Sequence, residues 1–90
     1  MVKLDGKFSG VLVKNKDNTI IPVDQWMVFL AKDNAFPATL RFYRQECERQ
    51  GAGPEQLAGV DECIAKVDAW RAAHPDECKV PDVQQGELFT

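Results

Sequence analysis

The chain has 90 residues, 44% of them hydrophobic and 28% charged, with a formal net charge of −3. That length holds one small domain, and the composition excludes wholesale disorder and collagen-like repeats. The longest apolar run, residues 26–31, is too short to span a membrane, so no membrane association is expected.

The charge is unevenly spread. Lys3, Lys7, Lys14 and Lys16 stand against Asp5 alone in residues 1–16. Lys79 stands against Asp76, Glu77, Asp82 and Glu87 in residues 76–90. Binders of duplex DNA carry a clear basic surplus, so the acidic balance argues against a nucleic-acid partner. Lysines on a short ribbon suit a solvated edge that discourages strand pairing. No signal-peptide core follows Met1, and the three cysteines are an odd count. Both point to free thiols in a reducing cytoplasm.

Residues 8–14 predict a strand, and residues 15–18 carry Asn and Asp turn chemistry. Residues 19–21 then predict the return strand, stopped by Pro22. Residues 26–31 fit a buried strand or a short helix. Their Trp, Val and Phe content favours a third strand against the hairpin, while Pro22 and Asp24 can instead start a helix. Asp33 or Asn34 can cap a following helix, with Pro37 tolerated in its first turn. Phe36, Leu40, Tyr43 and Cys47 recur at helical spacing as its apolar stripe. Gly51 predicts a left-handed cap, and Pro54 suits the first position of a second helix. Leu57, Val60, Ile64 and Val67 form that helix's stripe, with Cys63 and Trp70 alongside. Pro75 terminates it. So short a connector makes the two helices antiparallel neighbours. The expected fold is therefore α+β: an N-terminal β-hairpin of three short antiparallel strands packed on an antiparallel two-helix hairpin. Residues 1–82 read as a single small domain and residues 83–90 as a tail, free or docked.

Catalytic chemistry finds little support. His74 is the sole histidine, and its place before Pro75 suits a helix C-terminus, where imidazole complements the dipole. Cys47, Cys63, His74 and Cys78 can be tested as a zinc set. In a helical hairpin folded about residues 52 and 53, Cys63 is level with Phe42, about 7.5 Å along the axis from Cys47. That is too far for one tetrahedral ion. No metal and no cofactor are expected, and the chain reads as a non-enzyme. Asp61, Glu62 and Asp68 read as an exposed acidic face with no His or carboxylate opposed to them. Gly51-Ala52-Gly53 has no following Lys, so it closes a loop and binds no phosphate.

Two features point to partner binding. Arg41, Arg44 and Arg49 with Phe42 on the first helix make an aromatic and Arg set of the kind that anchors protein interfaces. Separately, Gln85-Gly86-Glu87-Leu88-Phe89 resembles the Gln-x-x-Leu-Phe peptide by which bacterial replication and repair proteins dock on the DNA sliding clamp. That resemblance implies that the Gln85 amide bonds a pocket edge while Leu88 and Phe89 fill an apolar pocket. The competing reading folds Leu88 and Phe89 back onto the protein's own core.

An apolar strand running into Ala31-Lys32-Asp33, the capped helix, the Gly-containing turn, a second helix ending near a Trp, and a closing Lys79-Val80-Pro81-Asp82 together resemble small uncharacterised proteins of bacteria, phages and plasmids. The resemblance implies a cytoplasmic accessory protein. The expected function is thus protein–protein contact, as an inhibitor or adaptor of a phage or other mobile element, with the sliding clamp or a host defence protein as partner. A homodimer would add buried apolar surface to so small a core. The alternative is an anti-defence protein holding a small ligand or nucleotide, with Arg41, Arg44 and Lys32 gathered around a phosphate at a subunit interface.

Overall fold

Two aspartates close the turns of the strand-forming part of the chain. The computed structural model describes residues 2–83, and they fall into two compact units. The first holds residues 2–28 with residues 82–83, and the second is Phe29–Pro81.

In the first unit, β1 (Val2–Lys3) pairs antiparallel with β2 (Ser9–Gly10), Val2 opposite Gly10. Asp5 Oδ1 accepts from the backbone N–H of Lys7 at 2.7 Å and of Phe8 at 2.8 Å, which fixes the reversal between them. β3 (Leu12–Val13) pairs antiparallel with β4 (Ile20–Ile21), Leu12 opposite Ile21. The connecting turn is the expected Asn/Asp one. Asn18 takes φ 61°, and Asp17 Oδ1 accepts from Thr19 N–H at 3.0 Å. The strands thus form two pairs rather than one hairpin with a third strand. The predicted strand 8–14 is interrupted at Val11, and the chain preceding it supplies β1.

The third strand expected at residues 26–31 does not form. After Pro22 the chain makes one 3-10 turn, Val23–Gln25. The apolar residues that follow serve both units separately. Trp26 turns back on the strands, its Nε1 donating to the Ile21 carbonyl at 3.2 Å. Its ring lies 3.6 Å from where a Cβ on Gly10 would stand, so glycine makes room for the indole there. Phe29 belongs to the second unit and stacks on Phe36, ring centroids 5.4 Å apart. The apolar run thus spans the boundary between the two units, which falls between Val28 and Phe29.

The second unit is a helical hairpin. α1 spans Phe36–Arg49 and α2 spans Pro54–Ala73. Ala35 is the N-cap residue of α1, and no side chain caps the helix directly. Asp33 acts one step earlier than expected. Its Oδ1 accepts from Ala35 N–H at 2.7 Å and its carbonyl from Phe36 N–H at 3.0 Å. Gly51 takes φ 84°, with Ala52 N–H bonded to the Cys47 carbonyl and Gly51 N–H to the Glu48 carbonyl. This pairing satisfies carbonyls the helix would leave open, and it requires a left-handed residue at 51. Pro54 opens α2, as its fixed φ and missing N–H favour.

Val60 and Val67, 5% and 8% exposed, are the buried apolar centre among the described residues. Phe36, Leu40, Cys47, Leu57, Ile64 and Trp70 are half-buried around them. Tyr43 and Cys63, assigned to or beside the stripes, are exposed. α1 and α2 meet along a seam too narrow to cover every apolar position. Beyond α2 the chain makes a 3-10 turn, Pro75–Glu77, and returns to the start of the unit. Lys79 forms a parallel bridge with Asp33, accepting from Asn34 N–H and donating to the Lys32 carbonyl, both at 2.9 Å. Two antiparallel strand pairs with a helical hairpin make the fold α+β.

Candidate protein-contact site

α1 presents the predicted Arg41, Phe42, Arg44 and Arg49, but their charges are not free. Arg41 bonds the Asp68 carboxylate across the hairpin and donates to the Pro37 carbonyl at 3.2 Å. Arg44 Nε meets Asp61 Oδ1 at 2.8 Å, and its Nη1 meets Glu48 at 2.8 Å. Arg49 forms a two-pronged pair with Glu46 at 2.9 and 2.8 Å, within α1 itself. The Arg44 guanidinium is pushed above its ordinary range, chiefly by its hydrogen bond to Asp61 and then by Glu48. Glu46 raises Arg49 in the same sense, and Arg49 first, then Gln50, holds the Glu46 carboxyl below its ordinary value. Cys47 raises the Tyr43 phenol through a side-chain hydrogen bond.

Phe42, next to Arg41 in the chain, has 62% of its surface exposed. The face thus carries an exposed aromatic side chain, and the arginines expected with it are balanced by carboxylates of the hairpin. Arg41 and Arg44 share the seam with α2, whereas Arg49 is supported from its own helix. Gln85, Leu88 and Phe89 lie outside the described residues.

Asp61, Glu62 and Asp68 are exposed on α2, as expected, and Asp61 and Asp68 pair with Arg44 and Arg41 of α1. The register that sets Cys63 level with Phe42 also sets Arg44 level with Asp61, so the pairing was open to the same arithmetic. Two supporting residues gave no such signal. Arg71 donates from Nη1 to the carbonyls of Ala31 (3.0 Å) and Asp33 (3.2 Å), and from Nη2 to Asn34 Oδ1 (2.9 Å). It therefore holds the segment that launches α1. Trp26 clamps the strands as described above.

His74 is the C-cap residue of α2. Its ring stacks on Trp70 with centroids 4.3 Å apart, and its Nδ1 is 2.7 Å from the Trp70 carbonyl. Cys78 Sγ donates to the His74 carbonyl at 3.4 Å. Among the described residues no three His, Cys, Asp or Glu side chains gather to hold a metal ion, and Cys47, Cys63 and Cys78 are free. Among them also, no helix is long and apolar enough to cross a membrane.

The strand unit carries a separate feature. Leu4, Asp5, Val23, Trp26, Met27 and Val28 line a partly open recess of about 170 Å³.

No protein-family model, curated protein or solved structure matches the chain.

Proposed function

We propose that this chain is a non-enzymatic binding module that works by protein–protein contact through the outer face of α1. The observation that carries the reading is Phe42, 62% exposed in mid-helix. A large exposed aromatic is a frequent interface anchor. The ion pairs can be shared with a partner's polar rim without leaving a charge unpaired. In this reading the protein is a cytoplasmic accessory factor of a mobile element or its bacterial host, an inhibitor or adaptor. The peptide at Gln85, Leu88 and Phe89 offers a second contact, to a sliding clamp.

The phosphate-binding alternative fares less well. A phosphate at Arg41 and Arg44 would have to displace Asp68 and Asp61 and then lie beside those carboxylates and Glu48. Like-charge repulsion opposes that arrangement.

Affinity capture from a bacterial lysate tests the proposal, using the full chain, Phe42→Ala and a chain ending at Val83. The reading expects one set of proteins retained by the full chain and lost by Phe42→Ala, with the helical spectrum unchanged. Capture indifferent to Phe42→Ala would overturn the α1 contact. Loss only in the shortened chain, with the sliding clamp among the lost proteins, would move the contact to residues 84–90.

A further inference from the structure

We draw no further inference here: the strongest candidate, the partly open recess of the strand unit lined by Leu4, Asp5, Val23, Trp26, Met27 and Val28, is a largely apolar surface, and nothing in the structure shows what covers it.

Discussion

Arg71, in the last turn of α2, donates through Nη2 to the side-chain oxygen of Asn34 at 2.9 Å, two residues before α1 begins. The same guanidinium reaches the carbonyls of Ala31 and Asp33. One planar fork thus ties the end of the second helix to the beginning of the first. A lysine ammonium lacks the geometry to make those bonds together. Arg71→Ala should cost about 2 kcal/mol, the scale of hydrogen bonds made by a charged group, and Arg71→Lys should recover only part of it. Chemical denaturation of the three proteins checks this, and an unchanged midpoint in Arg71→Ala would remove the account.

Two glycines in the helical hairpin should respond in opposite directions. Gly59 lies inside α2, and an added Cβ there meets nothing within 4 Å. Gly59→Ala should therefore stabilise by about 0.5–1 kcal/mol, through helix propensity alone. Gly51 also has open space, but its φ is 84°. Gly51→Ala should destabilise by about 1 kcal/mol, because an L side chain resists that conformation. Thermal melts of both variants give the comparison; equal shifts of the same sign would contradict it.

The seam between Arg44 and Asp61 is exposed and should feel salt. At about 1 M salt the Debye length is about 3 Å, against about 30 Å at 0.01 M. The loss of stability in Arg44→Gln should shrink as salt rises across that range. A loss independent of salt would mean that the arginine acts through packing of its stem.

Acid should expose the contributions of Glu46 and Asp17. Arg49 and then Gln50 lower Glu46 from its ordinary 4.5, and hydrogen bonds to Thr19 lower Asp17 from its ordinary 3.8. A carboxylate with a depressed folded pKa stabilises fully above its unfolded value and loses that contribution as pH falls through the folded one. Glu46→Gln and Asp17→Asn should thus show a deficit near neutrality that fades as pH falls below the ordinary values of 4.5 and 3.8. Urea midpoints measured across that range provide the test, and a deficit that grows on acidification would reverse the sign of the argument.

Much of the helical hairpin is legible residue by residue. Gly51 and Pro54 mark the turn because each has a backbone demand that few residues meet. The 3.6-residue spacing of Leu57, Val60, Ile64 and Val67 marks one face because a helix buries what recurs at that interval. The Asn18 turn is legible for the same local reason. The Arg and Phe42 set was recognisable as residue types, but its pairing with Asp61 and Asp68 needed the hairpin register. Residues 26–31 were not legible. Apolarity does not record what a side chain touches: Trp26 bonds Ile21 in one unit, and Phe29, 49% exposed, stacks on Phe36 in the other.

The sequence by itself determined the helices, the Gly51 turn between them and their antiparallel order, because propensity, turn chemistry and periodicity act over a few residues. Tertiary structure alone decided that Trp26 closes on Ile21, that Arg71 holds the approach to α1, and that Phe42 stands exposed. Those outcomes depend on groups 5 to 40 residues apart in the chain, which local propensity and periodicity do not relate.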